Sequence, residues 1–289
     1  MFNRKKMIGV AISLCLCSTV SLLNAASNVT QMVKVGDISV ISVLDSNFDM
    51  ESSLIKNGNQ DTIKKFMPEG KLPASDNVFI IKNAKQTIMV DAGIGGNLIA
   101  NLKKVGITPD KIDLILITHG HYDHVIGLIK DGKPVFPKAK ILFSEKEKQL
   151  YEDKAIEQVP AEYKQYFMPA NQVIKAYGNR VETFPFGKVI ADGITSVDLS
   201  GHTAGQSGFL VESKGQKLLI AGDFLHIGVL QFTHPEYSLA FDSDIEMSVK
   251  VRKQTLEKAV SEKILLAGTH IPFPGIGNVT AGFEFIPVK

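Results

Sequence analysis

The stretch Leu114-Ile115-Leu116-Ile117-Thr118-His119-Gly120-His121-Tyr122-Asp123-His124 joins an apolar run to a cluster of histidines. Its first four residues read as a β-strand buried on both faces. The segment after the strand gathers three of the chain's seven histidines and one aspartate within six positions. In an extended loop, residues i and i+2 point the same way. His119 and His121 can therefore reach one cation together, while Asp123 and His124, further along, can turn towards a second. Gly120 has no side chain to crowd such a site. Neutral imidazoles and carboxylates are ligands for Zn²⁺ and its neighbours.

The same pattern, an apolar strand and then a donor in a glycine-containing loop, recurs further on. His202 sits in Ser200-Gly201-His202-Thr203-Ala204-Gly205 after the strand-like segment Thr195 to Leu199. Asp223 ends Ala221-Gly222-Asp223 after Leu218 to Ala221, and His270 ends Gly268-Thr269-His270 after Ile264 to Ala267. His226 lies three residues past Asp223 and is a candidate to line the same pocket. His234, before Pro235, reads as a turn or surface residue. Phe79, Phe224, Phe232 and Phe273 are candidates for an apolar wall, though each taken singly reads as core.

Strands are also expected at Ile38 to Leu44, Val78 to Lys82, Thr87 to Val90, Ile141 to Phe143 and Gly208 to Val211, with hairpins around Asn83 and Lys214. Helices interleave with them. Thr108-Pro109 reads as a helix start. Ser144 with Glu147, and Ser243 with Glu246, fit capping boxes. The second of these opens a helix running to about Glu262, with Ile245, Val249, Leu256 and Val260 on its apolar face. This alternation makes an α/β protein. Asp45 to Asp76 is polar and reads as a loop, either a lid or a variable excursion. Pro160 to Tyr177, with Tyr163, Tyr166, Phe167 and Met168, is a candidate cover or dimer surface.

With 289 residues, 44% hydrophobic and 21% charged, the composition excludes a disordered, collagen-like or coiled-coil chain. Residues 1–26 read as a signal peptide: basic Arg4-Lys5-Lys6, an uncharged apolar segment from Met7 to Leu23, then small Ala25 and Ala26. Removing them leaves 27–289 as a single exported domain, periplasmic or secreted, with 29 basic residues against 30 acidic. That balance gives no electrostatic reason to expect a nucleic acid or an anionic membrane as partner. Cys15 and Cys17, the only cysteines, leave with the signal. The mature chain then has no disulfide and no thiolate ligand.

His119-x-His121-x-Asp123-His124, then His202, Asp223 and His270 in that order, resemble the metallo-β-lactamase superfamily, and Asp91-Ala92-Gly93 resembles its Asp-x-Gly turn. Asp91 to Gly96, Val211 to Leu218, Val229 to Phe232 and Phe273 to Gly277 look like the methyl parathion hydrolase group, relatives of the acyl-homoserine lactonases. The resemblance implies a four-layer αβ/βα sandwich with two divalent metal ions at one edge. Zn²⁺ is the first expectation, and Mn²⁺, Fe²⁺ or Co²⁺ are acceptable. It assigns His119, His121 and His202 to one metal and Asp123, His124 and His270 to the other. Asp223 is then the bridge, and Asp91 supports the ligands. It implies a bridging hydroxide attacking an ester, lactone or phosphorus centre, with Asp123 relaying a proton. The substrate is a small molecule, and enzymes of this group are often homodimers. Two positions depart from the pattern: Ala204 replaces a usual Pro, and His226 stands where the lactonases carry Tyr.

Three other readings compete. A zinc β-lactamase lacks a bridging carboxylate such as Asp223. A glyoxalase-II-like thioesterase uses the same seven ligands, but its glutathione thioesters are mainly intracellular. A non-catalytic metal-binding protein has no need to keep all seven positions filled.

Overall fold

A computed structural model describes residues 28–289. The segment read as a signal, with both cysteines, lies outside them. The first half of the described chain supplies β1 (Thr30–Val35), β2 (Ile38–Glu51), β3 (Lys71–Lys82), β4 (Thr87–Val90) and β5 (Leu114–Leu116). After them come the two-residue pair β6 (Ile129–Lys130) and β7 (Lys133–Pro134), then β8 (Lys140–Ser144) and β9 (Val181–Phe184). The second half supplies β10 (Val189–Ala191), β11 (Ile194–Asp198), β12 (Ser207–Ser213), β13 (Gln216–Ile220), β14 (Leu265–Ala267), β15 (Ile276–Val279) and β16 (Phe285–Pro287). Two seven-stranded sheets result, ordered β1-β2-β3-β4-β5-β8-β9 and β10 through β16. Both are mixed: β4-β5-β8-β9 and β13-β14 pair parallel, the rest antiparallel.

Period-two alternation builds the layers. Val40, Ile81, Ile88 and Leu114 of the first sheet pack with Phe209, Val211, Leu218 and Ile220 of the second. Their neighbours Ile41, Ile80, Met89 and Ile115 face the other way, onto helices. Those helices are α1 (Gln60–Phe66), α2 (Leu98–Lys104), α3 (Tyr122–Val125), α4 (Glu145–Leu150), α5 (Asp153–Glu157), α6 (Lys164–Tyr177), α7 (Gly228–Gln231) and α8 (Ile245–Ser261). Leu98, Leu102, Val125 and Val173 cover the first sheet, while Leu256 and Ala259 of α8 cover Leu219 and Leu266 of the second. The order helix, sheet, sheet, helix is the expected αβ/βα sandwich. Among the described residues, no helix is long and apolar enough to cross a membrane.

Four local expectations are corrected. Asp45 to Asp76 is not a loop: β2 and β3 stay paired from Ser39↔Lys82 to Glu51↔Lys71, across a bulge between Leu44 and Ser46. Its polar look comes from a hairpin arm with one wet face, whose other side buries Met50 and Ala74 against Ile63 and Met67. Thr108-Pro109 starts only a 3₁₀ turn, and the Thr108 hydroxyl binds Asp110 instead of capping. The N-cap of α8 is Asp244, which accepts from the Met247 N–H, while the Ser243 hydroxyl donates to the Gly201 carbonyl. The inward face of α8 is Ser248, Arg252, Thr255, Leu256 and Ala259; Ile245 is exposed, and Val249 and Val260 are half-buried. Ser248 turns in because α8 lies against Gly201, where a side chain would strike the Ser248 backbone. On α6, Tyr163 at the cap, Tyr166 and Met168 are exposed, whereas Phe167 packs on Tyr151.

Candidate metal centre

The donor loops all leave the same edge of the sandwich. Four donors follow β5 of the first sheet, and His202, Asp223 and His270 follow β11, β13 and β14 of the second. Every residue singled out in the sequence as a ligand arrives in one cluster, and so does His226. One group is His119, His121 and His202; a second is Asp123, His124 and His270; Asp223 also groups with His119 and His124 and, separately, with His202 and His226. In each, the donor atoms lie within 4.8 Å of one another. Asp223 faces both. Its Oδ1 is 3.1 Å from His124 Nε2, and its Oδ2 is 3.1 Å from His270 Nε2, 3.6 Å from His202 Nε2 and 3.7 Å from His119 Nε2. His226 Nε2 is 3.1 Å from the same Oδ2.

Three of the rings, those of His124, His202 and His270, are aimed by a partner on the far side. Asp91 Oδ2 is 2.8 Å from His124 Nδ1, and Asp242 Oδ1 is 3.1 Å from His202 Nδ1. His270 Nδ1 lies 3.2 Å from the Ser75 carbonyl and 3.4 Å from Asp76 Oδ1. These contacts fix the tautomer that turns Nε2 inward. Asp91 holds a left-handed φ of 59°, which Asp tolerates better than most residues. Its carboxylate also accepts from the Thr118 N–H and hydroxyl. The loop carrying His270 is pinned by the Asn77 side chain, which donates to the Thr269 and Ile271 carbonyls.

The donor set fits cations. His121 Nδ1 lies 3.0 Å from both His119 Nε2 and His202 Nε2. A ring nitrogen carries one proton or one lone pair and cannot bond well to two neighbours. Tetrahedral coordination at a Zn–N distance of about 2.0–2.1 Å separates ligand nitrogens by roughly 3.3 Å, close to what is found. His124 Nε2 and Asp223 Oδ1 are buried with no hydrogen-bond partner, a costly condition that an ion relieves. Burial holds His119 well below the usual histidine pKa and His121 down at about 3. Burial opposes charge at His124 and His270 too, but Asp223 and its neighbouring carboxylates outweigh it and hold both well above. At Asp223 burial is outweighed in turn by His124, His270, His226 and His119, so its carboxyl stays ionised.

The expected aromatic wall is different. Phe79, Phe224 and Phe232 are core residues, as strand and helix packing demands of them. Phe273 is half-buried and lines, with Phe48 and Pro272, a cavity of about 590 Å³. The rings that meet the centre are Phe48 of β2, edge-on to His270 at 5.5 Å, and Phe241, 6.1 Å from His226. His226 and His270 stack between them at 5.3 Å. His234 stays apart, against Phe66 and Tyr237. Asp242 and Arg252 went unread in the sequence, and Glu147 reads there only as a capping-box partner. The available signal was thin: Arg252 is one of two arginines after residue 27.

The chain superposes on the hydrolase AbOPH of the beta lactamase superfamily with a TM-score of 0.83 at 27% identity, covering 91% of this chain and 99% of that one. AidC, a dizinc quorum-quenching lactonase, superposes equally well, at 0.83, with 24% identity over 90% and 98%, which shows the fold. Sequence relatives match over shorter stretches. Exodeoxyribonuclease WalJ of Streptococcus pneumoniae serotype 2 is 39% identical over 56 residues, 19% of this chain and 21% of that protein. YobT of Bacillus subtilis is 26% identical over 153 residues, 51% and 60%. The chain thus spans between about a fifth and three fifths of the length of these curated relatives. A family model described as the metallo-beta-lactamase superfamily matches residues 73–268, a range that holds every candidate donor except His270, and the chain belongs to that superfamily.

Proposed function

We propose that this chain is an exported two-metal hydrolase of uncharged esters, lactones or phosphotriesters. The observation that carries the reading is the position of Asp223 between two three-donor groups. His119, His121 and His202 would hold one cation, Asp123, His124 and His270 the other, and Asp223 would serve both. When bound, two divalent cations, Zn²⁺ foremost, supply Lewis acidity and draw the pKa of water towards neutrality. The chain's own residues do the rest. Asp91, Asp242 and Asp76 keep three imidazoles aimed inward. Burial lowers the His226 pKa against the pull of Asp223. The neutral ring retains one N–H, which can donate to an oxygen of the scissile group. Asp123, with a side chain 35% exposed, faces water and can carry a proton outward. Phe48 and Phe241 offer an apolar wall for an acyl or aryl group.

Two further features support this substrate class. No Lys or Arg lies in residues 118–124, 200–205, 221–226 or 268–271, so an anionic substrate finds no partner there. The hydroxyls of Ser200 and Ser207 are bound to Asp198 and the Gly205 carbonyl, so neither is poised as a nucleophile. A kinetic panel on metal-analysed protein tests the reading. Aryl ester, acyl-homoserine lactone or phosphotriester should be the best substrate, two equivalents of metal should be found, and chelation should abolish turnover. Dominant β-lactam or thioester turnover would overturn it. Export, read from residues 1–26, has a separate test. Protein from the native host should begin near residue 27 on N-terminal sequencing, and one beginning at Met1 would defeat it.

A further inference from the structure

Glu147 takes no part in the chemistry above, yet it is fully buried. A capping box would fold its side chain back onto the Ser144 N–H. Ser144 does cap α4, accepting from the Glu147 N–H, but the Glu147 carboxylate turns away. Its Oε1 accepts from the Gly120 N–H at 2.9 Å and the Tyr151 hydroxyl at 3.0 Å. Its Oε2 accepts from the Thr203 hydroxyl at 2.7 Å and the Gly205 N–H at 3.1 Å. Gly120 stands between His119 and His121, and Thr203 follows His202. Backbone N–H groups can only donate, one to each oxygen, so both oxygens are held as acceptors. There is no slack in the contact: a Cβ at Gly120 would enter the Tyr151 ring, and one at Gly205 would enter the Glu147 backbone. Ser144 adds a hydrogen bond from its hydroxyl to the Gly205 carbonyl at 2.6 Å.

We infer that Glu147 is a positioning residue for one cation site only, fixing the spacing of His119, His121 and His202 by holding both of their loops on one carboxylate. The inference rests on the two-cation reading. The other group is held by different residues, Asp91, Asp76 and Asn77, so the two sites should respond differently to the loss of Glu147.

The test uses the full chain, as wild type and Glu147→Gln, loaded with Zn²⁺ and then dialysed against a chelator of intermediate affinity. Elemental analysis counts the zinc retained, and diffraction at the zinc absorption edge locates it. Wild type should keep two equivalents. Glu147→Gln, which sets an amide N–H₂ against one loop's donor, should keep one, at Asp123, His124 and His270. Affinity at the other group should fall about ten- to hundredfold, as when outer partners of metal ligands are removed. Two equivalents with unchanged affinities would overturn the inference, and so would equal loss from both groups. A wild type that never binds two overturns the two-cation reading, and this inference with it. Should the Gln variant not fold, Thr203→Val removes a single donor, and the same group should still weaken by about tenfold; no change would overturn the inference.

Discussion

Asp223→Ala should strip both cations and lower hydrolysis on the order of a thousandfold or more. The expectation rests on position. Among the described residues, no other carboxylate comes within 4 Å of His119, His124, His202 and His270 together. On the two-cation reading, removing it takes away a shared ligand and the negative charge that faces five imidazoles. Burial disfavours a cation among them once that charge is gone. Elemental analysis and kcat/KM on the best substrate of the panel check the result. One full equivalent of zinc with near-normal activity would sink the shared role. His226→Phe is the contrasting variant. It keeps a ring beside His270 but loses the N–H, so it should change kcat or substrate preference while leaving the metal content intact.

The donors were legible because they come from strand ends. An apolar run followed by glycine and a histidine or aspartate is a pattern in sequence, and β5, β13 and β14 appear within two residues of where that pattern puts them. What escaped was everything that acts at a distance in sequence. Glu147 looks like the last member of a capping box, and its contacts with Gly120 and Gly205 lie 27 and 58 residues away. Asp242 looks like a loop residue, since its partner His202 is 40 residues earlier. Phe48 was lost inside a polar stretch whose strand character depends on pairing with β3. Phe224 and Phe232 neighbour Asp223 and His226 in sequence, but the bend after β13 and the end of α7 turn them into the core.

Arg252→Met should cost about 3–5 kcal/mol of stability, the range for breaking a buried charged pair from one side. Arg252 is fully buried. Its Nε donates to the Phe224 carbonyl at 2.6 Å, and its Nη1 donates to the Pro235 and Tyr237 carbonyls, each at 2.8 Å. Its Nη2 lies 3.5 Å from Asp242 Oδ2. Methionine fills similar volume but leaves the Phe224 and Pro235 carbonyls without donors, the Tyr237 carbonyl with Gln231 Nε2 alone, and a buried carboxylate without its cation. Urea unfolding should show a lower midpoint at an unchanged slope. A loss below about 1 kcal/mol would place Arg252 among the dispensable contacts.

The division of donors between the two sheets has a thermodynamic consequence. Each three-donor group draws on both halves of the chain: His119 and His121 with His202, Asp123 and His124 with His270. On the two-cation reading, neither half alone offers more than two donors of either set. No cysteine lies among residues 28–289 to hold a metal in the unfolded chain. Cations therefore bind the docked state more tightly than the unfolded chain, in which only local donors such as His119 to His124 stay together, and each adds up to RT ln(1 + [L]/Kd) to its stability. Cohesion between the halves then depends on a quantity outside the chain: the free-cation level of the compartment where it works.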